Sequence, residues 1–193
     1  MAGDFKPKRV LNGKLKILLV TNGMILFAAA MLGPIYALFV DKIGGDLLDA
    51  SLAGATFSAT AGIAVFLSGK LSDRVKENEL IVMTGYLFMG FGFFLYTQID
   101  SMVQLLFVQV IIGLGEALYS PSFDALYSKY LDGDRSGSQW GTWESMNYFS
   151  AAAGAVSGGI VVSFLSFDAL FLGMSVLAIG SALYIYHLPR TTL

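Results

Sequence analysis

Residues 69–78, GKLSDRVKEN, separate two long runs of uncharged residues. Five of these ten residues are charged, whereas the run 50–69 and the run 80–99 contain no charge at all. A helix needs about 20 mostly apolar residues to cross the hydrocarbon layer of a bilayer. The charged stretch therefore indicates a hydrophilic loop between two membrane-spanning helices.

The composition of the whole chain agrees with a lipid environment. Of its 193 residues, 55% are hydrophobic and 13% are charged. A typical soluble domain carries about 25% charged residues, and half of that share could not solvate a soluble surface of this size. The net charge of −2 gives no basic field that would attract nucleic acid. We therefore expect an integral membrane protein in contact with membrane lipid and no nucleic acid.

Residue types that carry catalytic or metal chemistry are scarce. Cysteine is absent, and the only histidine, His187, lies close to the C-terminus. Disulfides, thiol nucleophiles and thiolate metal sites are thus excluded. The sequence has no nucleotide-binding loop, no metal-ligand spacing and no His/Asp/Ser constellation. We expect no cofactor and no metal, and a membrane-embedded enzyme is the least supported class of function.

Six segments are long and apolar enough to cross the membrane. Three of them carry no charge, and the other three carry only Glu116, Glu144 or Asp168. The segment 1–16 is too polar and charged for a signal peptide, so we expect the first span to be retained. The predicted fold is all-α, with spans at 17–40, 50–69, 80–99, 102–123, 142–165 and 167–188 and a tail at 189–193.

The distribution of Lys and Arg predicts the orientation of the spans. Eleven of the 12 basic residues fall in segment 1–16, in the loops after the second and fourth spans, or in the tail, and only Lys42 falls in a loop on the other side. Loops rich in Lys and Arg stay in the cytoplasm. Both termini are therefore expected to be cytoplasmic, in a plasma (inner) membrane.

Small residues predict which helix faces pack closely. In the second span Gly54, Ser58 and Gly62 are four residues apart, and in the fifth span Ser150, Gly154 and Gly158 repeat the spacing. We expect both faces to contact neighbouring helices, although glycine is frequent in membrane helices for other reasons.

The first and fourth spans carry Pro34 and Pro121 near their ends, which is typical of two inverted three-helix repeats.

The charged loop resembles a signature of the major facilitator superfamily, G-x-L-x-D-R-x-G-R-[KR]. Gly69, Leu71, Asp73 and Arg74 match it, whereas residues 76–78 do not. Residues 112–126, IGLGEALYSPSFDAL, are similar to the family's fourth-helix pattern, and residues 134–145, including Arg135, resemble the start of its fifth helix. Residues 153–159, AGAVSGG, match its fifth-helix motif without the proline. The resemblance implies half of the family fold, a 3+3 inverted repeat.

A physical role for the loop follows from its charges. Asp73 lies just past a helix end, where a carboxylate can accept from the free N–H groups of an adjacent helix. Arg74 can then bridge Asp73 to Asp124, and these ion pairs would hold the cytoplasmic side of the protein closed. A merely solvated loop is the alternative. With Gly69, Leu71 and Arg135, these residues form the predicted gating motif.

Six helices make only one half of a twelve-helix transporter, in which the substrate binds between the halves. A single half would expose its cavity face to lipid. We therefore expect the chain to form a homodimer or to pair with a second six-helix half. In that assembly Asp73 of one half contacts the start of the other half's fifth helix near Thr142.

Glu116 is the most informative acid, because it lies near the middle of the fourth span. A charge at that depth costs on the order of 3 kcal/mol and should face protein or water. It is predicted to bind a cationic substrate or a proton, or else to be a hydrogen-bonded structural residue. Glu144, in the first turn of the fifth span, is a weaker candidate. The candidate substrate or proton site comprises Glu116, Tyr119, Glu144, Asn147, Gln109 and Tyr36, with Gln104 and Tyr148 as further polar side chains.

We interpret the chain as a half-size secondary transporter of a small-molecule substrate that works by alternating access. Proton-coupled symport or antiport is one option for its energy source. The alternative is a multi-pass scaffold or assembly subunit that keeps the same half fold but transports nothing.

Overall fold

The computed structural model describes residues 11–188, and all regular structure within that range is helical. Residues 1–10 of the predicted N-terminal segment and residues 189–193 of the predicted tail lie outside the described residues. Three short 3₁₀ turns, Gly33–Ile35, Tyr96–Gln98 and Gly133–Arg135, interrupt or join the helices. The helices are α1 (Gly13–Leu32), α2 (Tyr36–Lys42), α3 (Leu47–Ser72), α4 (Asn78–Leu95), α5 (Met102–Lys129), α6 (Ser136–Phe164) and α7 (Phe167–His187).

Local sequence sets the helix ends. Asp46 and Asp49 form a capping box at the start of α3, each carboxylate accepting from the other residue's backbone N–H at 2.9 and 3.0 Å. These bonds satisfy two of the N–H groups that have no partner within the helix. Gly44, at φ +85°, makes the reversal between α2 and α3, where a side chain would be strained.

Contacts at the helix ends show that the segment formed by α1 and α2 runs in the opposite direction to α5 and to α7. The Asn12 amide donates to the Tyr130 carbonyl oxygen at 3.0 Å, which joins the start of α1 to the end of α5. At the opposite end the Lys42 ammonium lies 5.5 Å from the centre of the Phe167 ring. We call the end of the bundle at Asn12 and Tyr130 the basic end. We call the end at Lys42 and Phe167 the acidic end, because Lys42 is the one basic residue there among residues 11–188.

The helices pack in a definite spatial order: α3 on α5, α5 on α4, α4 on α7, α7 on α1, and α1 on α6. Large buried side chains such as Tyr86, Phe123 and Phe171 fill the space between the inner helices. The two outermost helices, α3 and α6, bury few of their residues. They leave long exposed faces at the two ends of the row.

Glycines bring the backbones of two helix pairs into contact. A Cβ atom on Gly154 of α6 would lie 2.6 Å from the Phe27 carbonyl oxygen of α1, and one on Gly158 would overlap the Met31 carbonyl group. Between α4 and α5, a Cβ atom on Gly85 would lie 2.7 Å from the Gly115 carbonyl oxygen. These positions admit no larger side chain unless the backbones move apart.

The small-residue face of α3 meets no neighbouring helix within residues 11–188, so its packing role stays a prediction. Gly54, Ser58 and Gly62 are exposed, and a Cβ atom on either glycine would meet no heavy atom within 4 Å. The contact of α3 with α5 lies on a neighbouring face of α3. The glycine that permits this close approach belongs to α5 and is Gly113. A Cβ atom there would lie 2.9 Å from the Phe57 carbonyl oxygen.

The two prolines act differently in the two helical segments. Pro34 coincides with the 3₁₀ turn that separates α1 from α2, whereas Pro121 lies inside α5, which continues through it. Proline has no N–H to donate to the carbonyl four residues earlier, in this case that of Ala117. The Ser68 hydroxyl of α3 donates to that carbonyl oxygen instead. A neighbouring helix thus supplies the hydrogen bond that α5 lacks.

Five helical stretches in the described part of the chain are long and apolar enough to cross a membrane, which confirms a multi-pass, all-helical membrane protein. The exception among the long helices is α6. Its first half carries polar residues such as Gln139, Glu144 and Asn147, and its second half is rich in small residues. The crossing by α6, and with it the count of six, stays a prediction.

Candidate functional site

A cleft of about 240 Å³ lies between α1, α3, α4, α5 and α7. Its rim includes Ala29, Gly33 and Gly54, all of which are exposed. Aromatic, aliphatic and methionine side chains form most of its wall, among them Phe57 and Phe93. The cleft is therefore a largely apolar recess that opens at the surface of the domain.

Glu116 contributes the one carboxylate in the wall of this cleft. It lies near the middle of α5, beside Gly115, whose close contact with Gly85 of α4 fixes the position of the helix. Because a charge near the middle of a membrane helix is costly, access to an open cleft allows the carboxylate to meet a proton or a ligand. Tyr119 lies one turn further along α5 and is buried.

Three side chains form a hydrogen-bonded cluster at the other end of the cleft, towards the acidic end of the bundle. The Gln109 amide nitrogen donates to the Tyr36 hydroxyl at 2.5 Å and to the Tyr96 hydroxyl at 3.1 Å. All three residues line the cleft. We refer to Tyr36, Tyr96 and Gln109 as the tyrosine–glutamine cluster. It joins α2, the 3₁₀ turn after α4, and α5.

The 3₁₀ turn at Gly33–Ile35 places Tyr36 in this cluster. Pro34 fixes its own backbone and offers no N–H, so the helical hydrogen bonding of α1 ends there and restarts in α2. Tyr36 is the first residue of α2 and is half-buried.

A second polar network lies nearer the basic end. The Trp143 indole N–H of α6 donates to the Asn22 amide oxygen of α1 at 3.2 Å, and the Asn22 amide nitrogen donates to the Tyr86 hydroxyl of α4 at 3.4 Å. Asn22 and Tyr86 are fully buried. The ring of Tyr86 also packs on that of Tyr119, with centroids 5.1 Å apart. We call Asn22, Tyr86 and Trp143 the asparagine hub.

The predicted candidate residues thus divide into two groups. Glu116, Gln109 and Tyr36 line one cleft, and Tyr119 lies buried behind Glu116. Glu144 and Asn147 lie on α6 and are not part of the cleft wall; Glu144 is exposed and Asn147 half-buried. The further polar candidates also lie elsewhere: Gln104 accepts from the Asp100 N–H at 2.9 Å, and Tyr148 is exposed on α6.

The predicted gating residues lie at the basic end. Gly69 and Leu71 belong to the last turn of α3, and Asp73 and Arg74 follow it on the surface. Within residues 11–188 no ion pair joins Arg74 to Asp124, so the predicted bridge is absent from this structure. Both side chains are exposed, Arg74 just after α3 and Asp124 within α5, and an ion pair between exposed side chains gains little. Arg135 ends the 3₁₀ turn before α6.

Sequence reasoning missed Tyr96 and the asparagine hub. Tyr96 stands beside Thr97 and Gln98 at the end of an apolar run, a position typical of an interfacial aromatic residue. Asn22 carried a usable signal, because an amide within a 24-residue uncharged run must find a hydrogen-bond partner in the membrane.

An all-helical, multi-pass membrane protein with a carboxylate in an open intramembrane cleft has the features of a solute transporter. Residues 18–193 match the family model of the Major Facilitator Superfamily. The chain belongs to that family, as its motifs predicted. The family consists of transporters, which confirms the prediction that the protein is not an enzyme.

Named relatives support this assignment. The chain is 25% identical over 159 residues to the uncharacterized MFS-type transporter YitZ of Bacillus subtilis, covering 82% of this chain and 96% of that protein. It is 23% identical over 189 residues to the multidrug resistance protein MdtG of Escherichia coli, covering 96% and 45%. The multi-drug resistance efflux pump PmrA of Streptococcus pneumoniae is 25% identical over 170 residues, covering 86% and 42%. The chain thus spans less than half the length of MdtG and PmrA.

Proposed function

We propose that this chain forms one half of a secondary transporter that exchanges a small cationic solute for protons at Glu116. The observation that carries the proposal is the Glu116 carboxylate in an apolar cleft that is open to the surface. One carboxylate balances one positive charge in such surroundings, so a proton and a cationic solute would compete for it. Competition for a single site favours antiport. The names of MdtG and PmrA, which refer to multidrug resistance and efflux, support the export of a drug as the function.

The membrane arrangement belongs to the same proposal. All six long helices cross the plasma membrane with the basic end in the cytoplasm, as the distribution of Lys and Arg favours. The exposed faces of α3 and α6 then meet a counterpart, either a second copy or another six-helix half. Asp73, Arg74 and Arg135 gate the basic end by contacts that form with the counterpart.

We expect Glu116→Gln to abolish transport driven by a pH gradient. The probe is a tritiated trimethylammonium cation joined through a propyl chain to a phenyl ring, taken up by proteoliposomes that are acidic inside. Loss of the charge should reduce uptake to background, at least about tenfold, because an interaction with a charged group contributes roughly 1.5–3 kcal/mol. Glu144→Gln is the matched control, and it should keep uptake within about twofold, since Glu144 is exposed outside the cleft.

Full uptake by Glu116→Gln would place the coupling elsewhere. No uptake by the unaltered chain, alone or with a second half, would instead favour the scaffold function.

Pairing of two copies predicts a specific disulfide. The native chain has no cysteine, so Asp73→Cys and Thr142→Cys variants, reconstituted together as two single-cysteine proteins, can cross-link only between copies. We expect a 73–142 dimer on a non-reducing gel. Phe91→Cys with Val176→Cys is the control pair, because both residues are exposed on inner helices α4 and α7. Monomer alone in the 73–142 sample would contradict the homodimer.

A further inference from the structure

The cleft has two polar points that are held at a fixed separation by one helix. Gln109 and Glu116 both line it and lie seven residues apart on α5. Seven residues make two helical turns, which places both side chains on one face about 10 Å apart along the axis. Ile112 lies between them on the same face, and Phe57, Phe93 and Met89 add apolar wall from α3 and α4. The separation is thus set by a continuous helix rather than by a loop.

The tyrosine–glutamine cluster has hydrogen-bond donors to spare. An amide group carries two N–H donors and each phenol carries one O–H, whereas the two hydrogen bonds within the cluster use only two of these four donors. The surplus is the same whichever way the amide group is turned. Buried donors without partners cost more than spare acceptor lone pairs. The end of the cleft opposite Glu116 is therefore suited to an acceptor atom on a ligand.

We propose that the cleft binds amphiphilic organic cations that carry a hydrogen-bond acceptor about 10 Å from the positive charge. The cation lies at Glu116, the acceptor at the tyrosine–glutamine cluster, and an apolar or aromatic spacer lies along Ile112, Phe57 and Phe93. Tyr36, Tyr96 and Gln109 are then specificity-determining residues for the acceptor, and Glu116 alone recognises the charge. This inference rests on the proposed function and adds a selection rule to it.

Two probes that differ only in the acceptor test the rule. One is the phenylpropyl trimethylammonium cation, and the other carries a para-acetyl group on the ring. Competition binding to the full chain in nanodiscs, with the tritiated parent cation as tracer, should show that the acetyl compound binds about five- to tenfold more tightly, the effect of one added hydrogen bond. The Tyr36→Phe/Tyr96→Phe/Gln109→Leu variant, which removes all four donors of the cluster, should bind both compounds equally, with affinity for the parent changed less than about twofold.

Two comparisons separate this inference from the proposed function. Glu116→Gln should weaken both compounds by the same factor and keep the preference for the acetyl group. Tyr148→Phe, at an exposed tyrosine of α6, should change neither value. Should this triple variant fail to fold, Tyr36→Phe alone at the half-buried position should reduce the preference.

Equal binding of both compounds to the unaltered chain, or an intact preference in the triple variant, would overturn the two-point site and leave the cation site unaffected. If neither compound binds the unaltered chain at all, the cation site of the proposed function fails and the selection rule fails with it.

Discussion

Gly158→Ala is expected to lower the free energy of unfolding by on the order of 3 kcal/mol. The added methyl group would overlap the Met31 carbonyl oxygen and would lie 2.6 Å from its carbonyl carbon. Both atoms belong to the backbone of α1, so no side-chain rotation relieves the contact. The two helices must separate, and the apolar and hydrogen-bonded contacts between α1 and α6 weaken together.

Gly159→Ala is the matched control for this prediction. The neighbouring glycine lies in the same helix, but a Cβ atom there meets no heavy atom within 4 Å. Alanine favours a helix over glycine by up to about 1 kcal/mol, so this variant should be unchanged or slightly more stable. Titration with SDS in bicelles, followed by tryptophan fluorescence, measures both. Equal stability of the two variants would show that α1 and α6 do not pack through Gly158.

Asn22→Leu is expected to destabilise the protein by about 1–2 kcal/mol, within the range found for buried hydrogen bonds and for polar contacts between membrane helices. Leucine has a similar size, but it leaves the Trp143 indole N–H and the Tyr86 hydroxyl without the bonds that Asn22 makes at 3.2 and 3.4 Å. Three helices meet at this side chain. Unfolding in SDS should therefore begin at a lower detergent fraction.

A double-mutant cycle makes this result specific to the asparagine hub. Trp143→Phe removes the indole donor, so in the Asn22→Leu background it should cost less than in the native chain. Asn147→Leu serves as the comparison, because Asn147 is half-buried and makes no side-chain hydrogen bond within residues 11–188. That variant should change stability by less than about 0.5 kcal/mol. Additive effects of the Asn22 and Trp143 changes would contradict the hub.

The sequence predicted the class and the family because both depend on local patterns. Long uncharged runs interrupted by the loop at Asp73 and Arg74 indicate membrane helices, and the order of the motifs indicates the family. Glu116 could be singled out for the same reason, since a charged residue within an apolar run can be recognised from the sequence alone. These signals need no knowledge of which helices are neighbours.

Pairwise features could not be predicted in this way. The bond from Gln109 to Tyr36 joins residues 73 positions apart, and nothing in either local sequence names the other. The occupant of the Gly54 face could not be predicted for a similar reason. Periodicity shows that the residues on one side of a helix are small, but not whether a neighbouring helix contacts that side. The glycine that brings α3 and α5 together is Gly113.

The hydroxyl of Ser68 supplies the bond that Pro121 removes from α5, and this has a mechanical consequence. If α3 slid lengthwise along α5, the Ala117 carbonyl would be left facing hydrocarbon, at a cost of several kcal/mol. Shear between these two helices is therefore disfavoured at this point, whereas tilting the pair together keeps the bond from Ser68 to Ala117. We therefore expect α3 and α5 to move together as one rigid body.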